Sequence, residues 1–241
     1  MGDKRIENEI AHGKHLREAW SGTFWYWETP AGKLRWARRL RMLMSHITSA
    51  MRVLEVGCGV GYFTQEVSKT GAHVTAIDIS PDLLSVAQDK IKNANVTFKV
   101  ENAYELSFPD ATFDTVIGSS ILHHLDVDKA LNEFFRVLKP GGTLYFTEPN
   151  MVNPQIFLER HTALFGYLIN KSPDETAFVR RSLRKKILKY GFRDIQIVPF
   201  DFLHPLTPRI IIPIINALGT CLECIPLLKE IAGSLYIRAT K

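Results

Sequence analysis

Cysteine is scarce in this chain. Three residues, Cys58, Cys221 and Cys224, stand among 241, too few for a disulfide scaffold. Cys221 and Cys224 form a lone CxxC in an apolar, proline-flanked stretch. A structural zinc site takes about four ligands and no second pair exists, so no metal is expected and the thiols read as buried side chains. Internal repeats and low-complexity tracts are also missing, which excludes solenoids and arrays. No uninterrupted apolar run reaches membrane length. Residues 210–228 come nearest, but Pro213, Glu223 and Pro226 interrupt them. The segments on either side, 193–199 and 234–240, read as strands of one sheet. A single membrane crossing between them could not return both ends to the same side. The first twenty residues are polar and charged, so no signal peptide is expected. These absences lead to the expectation of a cytoplasmic protein without disulfides, peripheral at most to the inner membrane surface.

What is present suffices for one core with an elaborated edge: 46% of residues are hydrophobic and 23% charged. The net charge is +5. Basic residues concentrate in two helical-looking stretches, Lys33, Arg35, Arg38, Arg39 and Arg41, then Arg180, Arg181, Arg184, Lys185, Lys186 and Lys189. Both read as solvated helix faces, with an anionic membrane surface or a phosphorylated substrate as the competing account.

Between Met51 and Gly142 strand and helix signals alternate. Val-, Ile-, Phe- and Thr-rich segments at 51–56, 72–78, 95–100, 113–118 and 142–148 predict strands. Helices are predicted over 61–70, 81–92 and 127–138, with Ser80 as cap and Pro81 in the first turn of the second. Pro140-Gly141-Gly142 is expected to stop the third. This alternation implies an α/β fold: a doubly wound, mostly parallel sheet with helices on both faces. Four parts follow. Residues 1–50 form an N-terminal helical and aromatic cap segment, and 51–149 the α/β core. Residues 150–175 form an inserted cap. Residues 176–241 hold a helix at 176–190, the last two strands and an apolar helical insertion at 202–230.

The stretch VLEVGCGVG, residues 53–61, carries the first functional signal. A buried strand ends in a loop with Gly57, Gly59 and Gly61 at alternate positions, and a helix follows. Backbone N–H groups are free there and the helix dipole presents its positive end. Glycines let a ligand approach the main chain. The spacing is G-x-G-x-G; Tyr62 occupies the position where the dinucleotide fingerprint needs its last glycine, which disfavours pyrophosphate. Asp78 closes the second strand, where a carboxylate can accept from two vicinal ribose hydroxyls. Asn102 and Ala103 follow the third strand beside the same crevice and can read the edge of a base.

Taken with AIDIS, FDTVIGSSILHHL and RVLKPGG-LYFTEP, this stretch makes residues 51–148 resemble the class I S-adenosylmethionine-dependent methyltransferases. Within them the likeness is to the small-molecule branch that includes ubiquinone and menaquinone methyltransferases. The resemblance implies a seven-stranded Rossmann-like sheet, S-adenosyl-L-methionine as cofactor, S-adenosyl-L-homocysteine as product, no metal, and methyl transfer by in-line displacement. It further implies that Gly57, Cys58, Gly59 and Gly61 line the methionine end and adjoining ribose, with Glu55 facing the methionine ammonium. Asp78 would bind the ribose and Ile79 pack on adenine. Asn102 and Ala103 would contact the base, Asn102 standing where the branch usually has Asp, and Ser119 would lie near the methionine portion.

A methyl acceptor that must lose a proton needs a base, and His123 and His124, at the rim after the fourth strand, are the candidates for base or substrate contact. Tyr26 and Trp27, in the aromatic run Phe24 to Trp27, would line a lid, since a ring face attracts a sulfonium. Phe157, His161 and His204 belong to the cap segments. The cap holds Ile156, Phe157, Leu158, Leu164, Phe165 and Leu168. With the 202–230 stretch this favours a small apolar acceptor: isoprenoid, quinone-like, lipid or polyketide-type. The apolar stretch allows two partners, a membrane surface contacted peripherally or a second copy in a homodimer. A nucleic-acid methyltransferase is the first rival. Gly118-Ser119-Ser120-Ile121 lacks the Asn/Asp-Pro-Pro-aromatic signature of enzymes that methylate base amino groups, and no RNA-binding module is recognisable, so no nucleic-acid partner is expected. A non-catalytic cofactor-binding scaffold subunit is the second.

Overall fold

The computed structural model describes residues 4–18, 26–162 and 175–241. Phe24, Trp25, Leu164, Phe165 and Leu168, named above for the lid and cap, lie outside the described residues. The chain runs α1 (Lys4–Glu18), α2 (Pro30–Met44), β1 (Arg52–Val56), α3 (Tyr62–Val67), β2 (His73–Asp78), α4 (Pro81–Lys90), β3 (Val96–Val100) and β4 (Phe113–Ser119). It continues through α5 (Val127–Val137), β5 (Leu138–Pro149), α6 (Pro154–His161), α7 (Arg180–Lys189), β6 (Arg193–Phe200), α8 (Ile212–Glu223) and β7 (Ser234–Thr240).

The seven strands form one sheet in the order β3-β2-β1-β4-β5-β7-β6. Strands β1 to β5 are parallel; β7 runs antiparallel to both β5 and β6. The order reverses between β1 and β4, and the crevice beyond the carboxyl ends of those strands is where open α/β sheets hold ligands. Successive side chains of β1 point to opposite faces. Leu54 and Val56 join the layer containing Leu131 and Phe134 of α5 and Leu183 and Ile187 of α7. Val53 joins Leu43 of α2, Val67 of α3 and Leu84 of α4. Burial on both faces explains why the central strands read as near-continuous apolar runs.

Local chemistry sets the helix starts. Ser80 accepts from the N–H of Leu83 at 3.3 Å and Pro81 opens α4. Asp126 caps α5 through the N–H groups of Asp128 and Lys129. Three predicted boundaries shift. The first core helix is α-helical only to Val67 and tightens into a 3-10 turn, Ser68–Thr70. Pro140-Gly141-Gly142 does not stop α5, which ends at Val137. The motif lies inside β5, where the pairing with β4 shifts register after Phe113. The segment 176–179 is extended, with Phe178 bridging to Asn150, and α7 begins at Arg180.

The first basic cluster does not lie wholly on a solvated face. Arg39 is 4% exposed and donates to Asp201 at 2.9 Å and to Ser234 at 2.6 Å. Arg35 donates to the same Asp201 oxygen at 2.8 Å, and Arg38 makes a bidentate pair with Glu223. Burial pushes the Asp201 carboxyl up, but the two guanidiniums outweigh it and hold it at about 2. The arginines of α2 thus clamp the β6–β7 insertion to the body of the protein. Periodicity showed where the charges stood along the helix, but not that acids about 160 residues away would meet them.

Candidate functional site

Each residue proposed for cofactor contact sits at the carboxyl edge of the sheet. Gly57 has φ +66°, and a Cβ built there would lie 2.4 Å from the Ile121 side chain. Gly61 has φ +84° and caps α3, with Ile91 Cδ1 2.6 Å from where a Cβ would be. Only glycine serves at either position without strain. Gly57→Ala is therefore expected to destabilise the fold by about 1–3 kcal/mol in urea unfolding and to weaken binding of S-adenosylhomocysteine. Unchanged stability and affinity would contradict this reading.

Asp78 joins the two loops of the crevice. Its Oδ2 accepts from Gly59 N–H at 2.8 Å and its Oδ1 from Ser80 N–H at 2.9 Å. Burial pushes its carboxyl up from the usual value, against those two hydrogen bonds. A carboxylate has about four acceptor positions, so each oxygen keeps one for a hydroxyl. Cys58 is buried and donates its N–H to the Ile77 carbonyl at 3.0 Å, which pins the glycine loop to β2. Burial pushes its thiol up, so it acts as a wall and not as a thiolate.

Glu55 is 3% exposed on the α3 side of β1. Burial foremost, with Asp78's charge adding, raises its carboxyl to about 8. Its Oε2 is buried and has no hydrogen-bond partner among the described residues. A buried acceptor left unmatched is costly, and an ammonium in the adjoining crevice would relieve that cost, directly or through water.

A cleft opens here. It is lined by Gly57, Ile77, Asp78, Ile79, Asn102, Ala103, Tyr104, Ile121 and Leu125, with Arg5, Ile6 and Glu9 of α1. These acceptors and walls suit the sulfonium nucleoside: Asp78 would take the sugar hydroxyls, Ile79, Ala103 and Leu125 a flat base, and the glycine loop would allow close approach. Asn102 is held by a local hydrogen bond. Its Oδ1 accepts from Tyr104 N–H at 3.0 Å in a local turn, which leaves its amide NH₂ to face a ligand.

Ser119 lies at the end of β4, its hydroxyl 2.9 Å from that of Thr147. The next residue, Ser120, has φ +56° and donates its N–H to Thr147 O at 2.7 Å. The 121–124 loop then hangs on Glu148, which ends β5 with 1% exposure. Glu148 Oε1 accepts from the N–H groups of Ile121 and Leu122 at 3.0 and 2.9 Å, and Oε2 from His123 Nδ1 at 2.7 Å.

His123 was expected as a base or substrate contact, and its surroundings do not suit a base. It is 4% exposed, with Nδ1 on Glu148 and Nε2 3.2 Å from Glu175. Arg160 meets the same Glu175 oxygen at 2.6 Å. Burial alone would lower the imidazole, but hydrogen bonds to the two carboxylates outweigh it and raise it to about 9. At neutral pH it is an imidazolium with no lone pair to accept a proton. Ligand-capable atoms of His123, His124 and Glu175 do lie within 4.8 Å of one another. Glu175 and Glu148 are the functional residues that sequence reasoning missed. The acid in LYFTEP was visible as the strand's last charge, but nothing in the spacing joined it to His123.

His124 turns the other way. Its Nδ1 lies 3.0 Å from Glu9 of α1, and its carbonyl accepts from Arg5 Nη1 at 3.4 Å. It therefore fastens α1 over the cleft. Gly13 sits against Ser80 at the start of α4, where a Cβ would lie 2.4 Å from the hydroxyl oxygen. Trp27 packs edge-on against Phe63 of α3 with centroids 6.3 Å apart, and Arg39 lies over its ring at 5.5 Å. Tyr26, at φ +54°, accepts through its carbonyl from the Thr29 N–H and hydroxyl. Both residues anchor the start of α2 beside the glycine loop. Phe157 and His161 stack at 4.2 Å on α6, with Phe157 half exposed. His204 accepts from Leu206 N–H at 3.1 Å, and burial, then Arg35, lower it. The structure brings none of these last three to the cleft lining.

A sheet of order 3-2-1-4-5-7-6, with a glycine loop after β1 and an acid closing β2 at one edge, is the Rossmann-like methyltransferase arrangement. A family model described as a methyltransferase domain matches residues 54–146. The demethylmenaquinone methyltransferase of Listeria monocytogenes is 33% identical over 167 residues, covering 63% of this chain and 70% of that protein. That of Tropheryma whipplei is 40% identical over 113 residues, and the match spans about half the length of each, 46% and 47%. The N-methyltransferase NodS of Bradyrhizobium japonicum, solved with S-adenosylhomocysteine, shares the fold with a TM-score of 0.67 at 16% identity over 97% of this chain and 98% of that one. The chain belongs to the class I S-adenosylmethionine-dependent methyltransferases.

Proposed function

We propose that the protein methylates a small apolar acceptor of the quinol type. One observation carries the acceptor class: the apolar elements stand over the same sheet edge as the cofactor cleft. β5 and β6 both end there, β7 begins there, and the 201–233 insertion is tied across it. Asn150, just after β5, donates to the carbonyls of Glu230 and Ala232 at 2.8 Å, and Asn153 to that of Ile231. Thr29 reaches the insertion through Pro205 O at 2.7 Å. The curated relatives named for demethylmenaquinone support a naphthoquinol-like ring.

When bound, S-adenosylmethionine supplies an electrophilic methyl on a sulfonium that departs as a neutral thioether. The chain's residues do the positioning. Asp78 holds the sugar by its two open acceptor positions, and the glycine loop admits the amino-acid tail. Glu148 and the charged His123 fix the loop that places Ile121 against Gly57. Ile121, Leu125 and the α1 residues exclude water. Holding two reactants in line is worth effective molarities of about 10⁵ M or more in well-oriented cases, so alignment without a dedicated base accounts for much of the acceleration.

The test is transfer of labelled methyl to a short-chain demethylmenaquinol, with bulk tRNA as the competing acceptor. We expect label in the quinone fraction and none in RNA. Labelled RNA with an unlabelled quinone would overturn the acceptor class. Cofactor binding with no S-adenosylhomocysteine formed on quinols or lysate lipids would favour a scaffold subunit.

A further inference from the structure

Helix α8 carries its apolar stripe on the wrong side for a globular protein. Of its residues only Ile212 and Gly219, seven apart, are buried. Gly219 is seated against Phe202, where a Cβ would lie 3.1 Å from the ring-bearing carbon. Ile214, Leu218 and Cys221 follow one another at intervals of four and three, so they share the opposite face, and all three are exposed, as is Ile225 just beyond the helix. Ile214 is 59% and Leu218 55% exposed, and Ile210 and Leu227 at the helix flanks reach 86% and 84%. An amphipathic helix in a soluble fold normally turns such a stripe to the core, and exposed patches of this kind mark an interaction surface.

Charge chooses the occupant. Between Phe202 and Lys229 the charged residues are Arg209, Glu223 and Lys229. Glu223 is withdrawn from the surface by Arg38 and by the N–H of Asp201. The outward charges of the segment are therefore two cations, and neither Arg209 nor Lys229 makes an ion pair among the described residues. Apolar side chains between unpaired cations complement an anionic lipid surface. Glu230, next to Lys229, is taken up by Arg180 at 2.8 Å, so a twofold contact with a second copy would set the two unpaired cations against each other. No described helix is long and apolar enough to cross a membrane, so the contact is with the interface.

We infer that α8 and its flanks form a membrane-docking face, lying in the headgroup region of an anionic bilayer with Ile210, Ile214, Leu218 and Leu227 inserted. The surface stands on its own exposure and charge. Its use, admitting an apolar acceptor from the bilayer at the sheet edge, rests on the function proposed above.

The experiment floats the full chain with phosphatidylcholine vesicles, with and without phosphatidylglycerol as a quarter of the lipid. At low salt we expect co-flotation only with the anionic vesicles, and release as salt is raised. Arg209→Gln should weaken binding roughly fivefold, the usual worth of one basic residue near an anionic surface. Ile214→Gln with Leu218→Gln should abolish flotation while circular dichroism and S-adenosylhomocysteine affinity stay as in the parent. Sedimentation velocity completes the test. A parent dimer that the double substitution dissociates, with no flotation, would overturn the bilayer in favour of a second copy. Equal flotation with neutral and anionic vesicles would overturn the role of charge. Retained S-adenosylhomocysteine binding in a chain that never floats would remove the docking face and leave the methyltransferase reading intact.

Discussion

Replacing Asp78 by Ala is expected to raise the dissociation constant for S-adenosylhomocysteine by about 10- to 100-fold, since a hydrogen bond to a charged group is worth about 1.5–3 kcal/mol. The structure makes the substitution more severe than loss of a sugar contact alone. Asp78 also receives the N–H groups of Gly59 and Ser80, so its removal frees the glycine loop and the entry to α4 together. Asp78→Asn separates the two roles. Its single carbonyl oxygen can accept from one loop N–H and one hydroxyl but carries no charge, and its NH₂ would face the N–H of the other loop. We expect it to bind more weakly than the parent and to remain folded. Isothermal titration with the nucleoside, alongside urea unfolding, checks both. An unchanged dissociation constant in Asp78→Ala would remove the ribose assignment.

The other large effect is expected at Glu148. Glu148→Ala strips the Ile121 and Leu122 N–H groups of their carboxylate acceptor and leaves His123 with one carboxylate instead of two. Removing one partner of a buried charged pair costs about 3–5 kcal/mol, so denaturant unfolding should show a loss of that size. The same network predicts a pH dependence. His123 is raised from 6.5 to about 9. Its contribution is thus fully present below 6.5 and is lost as pH rises through about 9. For an unfolded value near 6.5 that loss amounts to about 3 kcal/mol. Glu175 is held far below its usual 4.5, against burial, by His123 and Arg160. Its contribution is present above 4.5 and falls away as pH drops toward its depressed value. Stability should therefore decline on the alkaline side, and His123→Gln should flatten that decline while leaving other titrations in place. Parent and variant with the same alkaline slope would show that the imidazolium bridge does not form.

Much of the cofactor site was legible in the chain because it is built from local signals. VLEVGCGVG encodes a strand, a loop that needs positive φ and a helix start within nine residues. Asp78 marks a strand end wherever the strand lies, and the strand-helix alternation limits a parallel sheet to a few topologies. The cleft gathers Gly57, Asp78, Ile79, Asn102 and Ala103 because β1, β2 and β3 all end at the same edge. The partners of the arginines were not legible, and neither was the protonation of the histidines. A histidine in a run of two carries no sign of which ring is buried. Whether His123 is base or bridge depends on Glu148, twenty-five residues away across β4 and β5, and on Glu175 from beyond the cap.

By itself, then, the sequence determined the sheet, the glycine loop and the acid that closes β2, since backbone geometry and short-range periodicity dictate them. The tertiary structure alone decided three further things: the charge on His123, the inward turn of α2's arginines and the outward turn of α8's apolar stripe. Each of these is an electrostatic or burial outcome set by groups far apart in the chain, and burial is a property of the assembled surface rather than of any segment.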